Sequence, residues 1–243
     1  MALLKIENTT LSLHPSKPTL KQINFVVNRG DIIILLGSNG SGKSTFLKLL
    51  YRHYQPDTGS IHFLNHPLSH YSHKKLNQHI NVLTQHCGDS LFSSLTLYEN
   101  YLLTKIKSSW IINHHDEKQF LASFLMDFNP KLADKLDVAI LQLSGGEKQA
   151  FALALCFLNP PDLLLLDEHT SALDPKASAQ IMQLTHDMIK KHNMTCILTT
   201  HDLDIAIKYG NRILILHEGQ IHSTFDEDEK AALSKEKLVN YYF

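Results

Sequence analysis

Nine residues, Gly37-Ser38-Asn39-Gly40-Ser41-Gly42-Lys43-Ser44-Thr45, constrain the fold of this chain more than any other feature. Gly37, Gly42, Lys43 and Ser44 satisfy the spacing G-x-x-x-x-G-K-[ST] of a phosphate-binding loop. The context agrees. Asp31 to Leu36 is a short apolar run rich in β-branched residues and reads as a buried strand, and Phe46 to Leu50 continues as a helix. Strand, glycine-rich turn and helix together aim backbone N–H groups and a helix N-terminus at one spot, which prefers a multiply charged anion. Lys43 reaches the β- and γ-phosphates of such a ligand and the Ser44 hydroxyl holds Mg²⁺, with Ser38 to Ser41 and Thr45 completing the cradle.

A second acidic element follows a continuous apolar run, Leu163 to Leu166, ending in Asp167-Glu168. A run of this kind fits a strand buried on both faces, and a carboxylate at its C-terminal end faces the crevice where open α/β sheets bind ligands. Asp167 completes a Mg²⁺ shell, and Glu168 polarises the attacking water as general base. A third element, Leu143-Ser144-Gly145-Gly146-Glu147, opens a long helix. Ser144 caps it, Glu147 closes a capping box, and the two glycines let another group approach a second helix N-terminus that suits an anion.

The remaining pattern is α/β. Period-two segments at Leu4–Asn8 and Gln22–Val27, separated by a turn around His14-Pro15 and Lys17-Pro18, predict strands. Ser60–Leu64 and Asn81–Thr84 add two more. From Gln85 to about Asn159 the spacing is helical. Thr96-Leu-Tyr-Glu99 forms a capping box, Phe120, Phe124 and Leu125 fall at helical spacing, and Pro160-Pro161 stops the last helix. Asp174-Pro175 starts a helix reaching about His192, Cys196–Thr199 is a strand, and a helix from Leu203 stops at Gly210. Arg212–Leu216 and Gln220–His222 flank the hairpin signal Glu218-Gly219, and a charged helical tail begins at Glu229.

Composition narrows the function. A formal net charge of −1 gives no electrostatic basis for nucleic acid as the main partner. No apolar run approaches the roughly 18 residues of a membrane span, and the N-terminus lacks a signal peptide's apolar stretch, so a cytosolic location is expected. Cys87, Cys156 and Cys196 stand apart and in no metal-type spacing, as expected in a reducing compartment. The 16 histidines include no helical pair with a nearby acidic ligand and read as surface or packing residues.

Six motifs in order give the chain a resemblance to the ATP-binding-cassette ATPases over nearly its whole length. They are Walker A (Gly37–Thr45), the Q-loop glutamine Gln85, the signature (Leu143–Glu147), Walker B with its catalytic glutamate (Leu163–Glu168), the D-loop (Ser171–Asp174) and the switch histidine His201. The resemblance implies a P-loop NTPase (RecA-like) core with an antiparallel β subdomain, over residues 1–84 and 160–243, and an inserted helical subdomain over 85–159. It implies ATP and Mg²⁺ as ligands, with Gln85 joining Ser44 and Asp167 on the metal and His201 contacting the γ-phosphate and the catalytic water. It also implies a head-to-tail dimer, of two copies or of paralogues, in which Ser144, Gly145 and Gly146 of one cassette cover ATP on the Walker A of the other. Two positions depart from the common pattern: Glu147 stands where glutamine is usual, and His14 falls on the adenine-stacking position, usually aromatic and often tyrosine. Imidazole has the smaller π-face, so weaker stacking is expected.

Three classes fit a single cassette: the ATPase of an importer docked on a permease, a soluble cassette of cofactor assembly such as iron–sulfur scaffolding, and a DNA-repair or translation factor. The last expects long coiled coils or two cassettes, neither of which is present. Leu91–Asn100 resembles the importer pattern leading into the helical subdomain, where an apolar groove takes a permease's coupling helix. The segments Leu163–Lys176 and Tyr209–Gly219, with His169 where most cassettes have proline, resemble an importer-ATPase group related to branched-chain amino acid systems. Some of its members are linked to tryptophan or tyrosine uptake and work with a permease and a solute-binding protein. The resemblance therefore implies a protein held peripherally on the inner face of the cell membrane, energising uptake of a small solute such as an amino acid.

Overall fold

Alternating buried and exposed side chains start the chain as strands, and the computed structural model describes residues 1–14, 17–85, 91–105 and 114–242. Pro15 of the expected turn and Cys87 lie outside the described residues. Two compact units form: residues 1–82, 161–168 and 189–243 make the first, and residues 83–160 and 169–188 make the second.

In the first unit, β1 (Ala2–Leu11), β2 (Leu20–Asn28), β4 (Thr58–Phe63) and β5 (His66–Pro67) form an antiparallel sheet in the order β2-β1-β4-β5. The second sheet takes β3 (Ile32–Leu36), β6 (Ile80–Leu83), β7 (Leu163–Asp167), β8 (Thr195–Thr200), β9 (Arg212–His217) and β10 (Gln220–Phe225) in the order β10-β9-β3-β8-β7-β6. β3 lies parallel between β8 and β9, and β7 lies parallel to β8. Such strands have no solvent face, which is why Leu163 to Leu166 and Ile33 to Leu36 are apolar without alternation and essentially inaccessible. One core joins the two sheets, with Leu4, Ile6 and Phe63 from the first and Ile33, Leu163 and Ile197 from the second, closed by Phe46 and Leu50 of α1 (Lys43–Leu50). The hairpin turn between β9 and β10 carries positive φ at Glu218 and at Gly219, 45° and 77°, the primed turn that suits the twist of paired strands.

The sequence pattern misses α2 (His73–His79), because Leu76 is its only buried residue and leaves no apolar stripe; Ser72 caps it by accepting from the Lys75 N–H. The charged tail forms two short helices, α9 (Glu227–Ala231), opened by an Asp226/Glu229 capping box, and α10 (Lys235–Tyr242).

The second unit is helical: α3 (Leu97–Lys105), α4 (His114–Phe128), α5 (Pro130–Ala133), α6 (Gly145–Leu158) and most of α7 (Pro175–Lys191). The capping boxes expected at both ends of this region form. The Thr96 N–H donates to Glu99 Oε2 at 2.8 Å, while the Glu99 N–H donates to Thr96 Oγ1 at 3.1 Å. The apolar stripe of α4 is Leu121, Leu125 and Phe128, which corrects the expected register: Phe120 is 50% exposed. Phe128 meets Phe157 of α6 with ring centroids 6.1 Å apart, so the stripe follows the packing partner rather than the aromatic spacing. Among the described residues no helix is long and apolar enough to cross a membrane, and no group of side chains is arranged to hold a metal.

Candidate functional site

The loop 37–42 joins β3 to α1, and its shape depends on glycine at Gly37. A Cβ there would lie 2.4 Å from Ser41 Oγ and 2.5 Å from the Leu216 carbonyl oxygen, so alanine does not fit. Gly42 caps α1 in the left-handed region at φ 106°, and the Phe46 N–H makes the first intrahelical bond, to the Gly42 carbonyl. The N–H groups of the first turn therefore have no intrahelical acceptor and are available to an anion. The β9–β10 turn braces the loop from behind, with the Gly219 N–H donating to the Ser41 carbonyl at 2.9 Å and the Lys21 N–H to the Gly219 carbonyl at 2.8 Å. Ser38, Asn39 and Gly40 are exposed along the loop, as is Ser44 at the start of the helix, and Thr45 is half-buried.

A cavity of about 580 Å³ opens beside this loop, lined by Ser38 to Ser41, by His14, Lys17 and Thr19, and by His217, Glu218 and Gly219. His14 is thus brought to the phosphate loop, and its carbonyl accepts the Lys17 N–H at 3.4 Å. The local pattern marked Glu218 only as half of a hairpin signal and gave His217 no role in the site; both arrive from the far end of the chain.

Lys43 is almost fully buried. Its ammonium donates to the Gly37 and Ser38 carbonyls at 2.7 and 3.3 Å and pairs with Glu168 Oε1 at 3.2 Å. The other carboxylate oxygen of Glu168 lies 3.3 Å from His201 Nδ1. Glu168 leaves β7 with φ 43°, a left-handed conformation that a non-glycine residue holds only when its surroundings impose it. Here Thr199 helps to impose it. β7 and β8 run in register with Asp167 opposite Thr199, and the buried Thr199 hydroxyl donates to Asp167 Oδ1 at 2.7 Å while accepting the Glu168 N–H at 2.9 Å. One hydroxyl therefore sets both acids, and sequence reasoning overlooked it because the partner lies 32 residues away. His201 sits in the turn after β8, immediately before α8 (Leu203–Lys208), whose N-cap Asp202 accepts from the Asp204 and Ile205 N–H groups. The cluster unites an ammonium, a carboxylate and an imidazole, the groups needed to bind a phosphoryl centre and move a proton beside it.

The second unit carries its own set. Ser144 Oγ accepts the Glu147 N–H at 3.3 Å, and Glu147 Oε2 accepts the Ser144 N–H at 3.0 Å, the reciprocal capping box. Glu147 Oε1 pairs with Lys135 at 2.5 Å. The Lys135 ammonium, aided by the bonds to Ser144 and opposed by partial burial, holds the Glu147 carboxyl below the usual carboxylate range. A Cβ added at Gly145 would meet Leu173 Cδ2 at 3.6 Å and one at Gly146 would meet Ala177 Cβ at 3.5 Å, so these two glycines face the segment 171–174 and the start of α7. The Gln85 amide donates to Ser171 Oγ of that segment at 3.1 Å, and both residues are exposed. His169 is buried, with Nε2 3.1 Å from Thr185 Oγ1, and burial pushes its pKa down to about 3.

Residues 20–171 match the ABC transporter family. The chain is 29% identical over 227 residues to the tyrosine transport ATP-binding protein of Clostridioides difficile (strain R20291), covering 91% of this chain and 90% of that one. It is 30% identical over 247 residues to the phosphonates import ATP-binding protein PhnC 1 of Ruegeria sp. (strain TM1040), covering 99% and 94%. Among solved structures it is similar to cbiO1 from Clostridium perfringens, part of the ABC transporter complex cbiONQ, with a TM-score of 0.83, 28% identity and coverage of 98% and 93%. It is similar also to a dimeric ATP-binding cassette in a post-hydrolysis state bound to ADP and Pi, with a TM-score of 0.77, 26% identity and coverage of 92% and 98%. The fold is that of the P-loop NTPases to which these cassettes belong, and the chain is a member of the ABC transporter family: an ATP-binding cassette ATPase.

Proposed function

We propose that this chain is the ATP-hydrolysing subunit of a membrane importer for a small solute such as an amino acid. The hydrolytic roles rest on one observation: Glu168 lies between Lys43 and His201, in the unit that holds the phosphate loop. Lys43 pairs with Glu168 and donates to two loop carbonyls. A triphosphate on the loop offers that ammonium a partner of higher charge, which frees Glu168 to act as general base on the attacking water. His201 then contacts the γ-phosphate, His14 stacks on the adenine, and Gly37 to Thr45 cradle the phosphates. Ser44, Gln85 and Asp167 offer Mg²⁺ only oxygen atoms, the donor set a hard cation takes. When bound, that ion neutralises phosphate charge. The Thr199 hydroxyl donates to Asp167 Oδ1 and so fixes where that carboxylate sits.

In this reading residues 1–84 and 160–243 are the nucleotide-binding core, and 85–159 the helical subdomain that meets the permease. Ser144, Gly145 and Gly146 of a second cassette, a copy or a paralogue, cover the nucleotide. ATP favours closure because its γ-phosphate makes contacts that only the closed state offers. The dimeric cassette among the similar structures supports this arrangement. The import role is supported by the relatives that bear transport or import names, and the amino acid by the tyrosine transport relative. The partners are then a transmembrane permease and, through it, a solute-binding protein, and the cassette sits peripherally on the inner face of the membrane. Phe92, 62% exposed in the segment leading into the helical unit, is apolar surface suited to that contact.

Glu168→Gln is expected to bind ATP, to lose about 10²–10⁴-fold in turnover and to accumulate as an ATP-bound dimer in size-exclusion chromatography. Near-normal turnover would remove Glu168 from the role of base. Pull-down from solubilised membranes is expected to recover a permease, and recovery of soluble assembly proteins alone would refute the import role.

A further inference from the structure

Glu147 occupies the third position of α6, and its lowered pKa keeps a full negative charge within the first turn. That turn is the one read above as closing over a triphosphate. A carboxylate there satisfies the helix end by itself and repels a second anion brought to the same N–H groups. A glutamine would make the same cap without the charge, so this chain requires something to cancel it. The cation is present. Lys135 Nζ lies 2.5 Å from Glu147 Oε1, with the two side chains 36% and 20% exposed, while Oε2 stays on the Ser144 N–H. Lys135 is fixed from the backbone side as well, since its N–H donates to the Leu132 carbonyl at 3.0 Å and its carbonyl accepts the Val138 N–H at 2.9 Å. The lysine is therefore held beside the signature by two consecutive turns between α5 and the Ile140–Gln142 turn.

We propose that Lys135 is a positioning residue for the signature: it neutralises Glu147 and holds it in the cap, so that Ser144, Gly145 and Gly146 present a net attractive end to the γ-phosphate. The inference rests on the closure reading given under Proposed function. Lys135 and Glu147 then act as one unit that replaces an uncharged glutamine, and loss of the lysine is worse than loss of both charges.

The test is a cycle of Lys135→Met, Glu147→Gln and the double variant, each in the Glu168→Gln background, read as the ATP concentration for half-maximal dimerisation. Lys135→Met is expected to raise that concentration about tenfold, the effect of one uncompensated charge at a helix end. ATP binding to the isolated cassette, followed with a fluorescent analogue, should not change. Adding Glu147→Gln should return dimerisation close to the parent, which a merely structural role for Lys135 would not allow. Lys135→Arg keeps the charge and should match the parent, and thermal unfolding midpoints confirm that each variant folds. If the parent Glu168→Gln protein fails to dimerise with ATP, the closure reading falls and this inference with it. If the parent dimerises but Lys135→Met changes nothing, only the role of Lys135 is overturned. The same holds if the defect persists in the double variant, or if Lys135→Arg shares it.

Discussion

His169 shows how a single side chain can tie stability to pH. It is 2% exposed and its pKa is about 3, below the ordinary 6.5 of histidine, because burial disfavours the charged ring. The unfolded chain thus takes up the proton first as pH falls, and the folded state resists it. Stability is complete above about pH 6.5 and is lost between there and pH 3, by up to about 1.4 kcal/mol per pH unit for one proton. Urea unfolding midpoints measured from pH 7.5 to 5 should fall for the parent and fall less steeply for His169→Phe. Equal slopes would show that His169 does not carry the effect. The motif residues of the site were legible because each belongs to a short pattern with a fixed chemical task. Thr199, Lys135 and His217 were not, and Glu218 was legible only as a hairpin residue, because each is placed by a partner distant in sequence: Thr199 through strand register, and Lys135 through a turn nine positions before Ser144.

At the scale of elements, the local chemistry of caps was the readable part. The boxes at Thr96 and Ser144 and the cap at Asp174, which accepts the Ala177 N–H at 3.0 Å, all formed where their residue types stood. Burial faces were harder to read, as α4 shows, because a stripe is selected by what packs on it. Asn100 in α3 is the case with a measurable cost. Buried at 3% exposure, it accepts the Phe92 N–H at 2.8 Å, and its amide nitrogen lies 3.1, 3.3 and 2.9 Å from the carbonyls of Phe92, Leu95 and Thr96. One side chain therefore ties the whole entry segment to its helix. Asn100→Ala leaves the Phe92 N–H without this acceptor, while the three carbonyls keep backbone donors from Leu95, Ile140 and Asn100 itself, and should cost about 1–3 kcal/mol in urea unfolding. Faster hydrogen exchange of the Phe92 amide should accompany that loss, and an unchanged exchange rate would show that the segment holds itself.

For the molecule as a whole, the first unit is assembled from three separated stretches of chain. Its α/β class was evident from the apolar runs, yet the strand order was not, since order depends on crossovers that leave no local mark. A ligand that binds only the folded arrangement stabilises it by mass action. ATP at a hundred times its dissociation constant should raise the unfolding free energy by about 2.7 kcal/mol. Lys43→Ala should abolish that rise, and a persistent rise would place nucleotide binding elsewhere.

The central place of β3 has a consequence for synthesis. Its neighbours on both sides, β8 and β9, lie more than 160 positions later, since Ile32 pairs with Cys196 and Ile33 with Arg212. A ribosome adding about 5–20 residues per second takes roughly 8–33 s to cover that distance. Throughout that interval the most apolar strand beside the phosphate loop has left the exit tunnel with neither edge paired. The nascent chain is thus most prone to aggregate before its last quarter is made, and a message cut short ahead of β8 yields a product that cannot bury that strand.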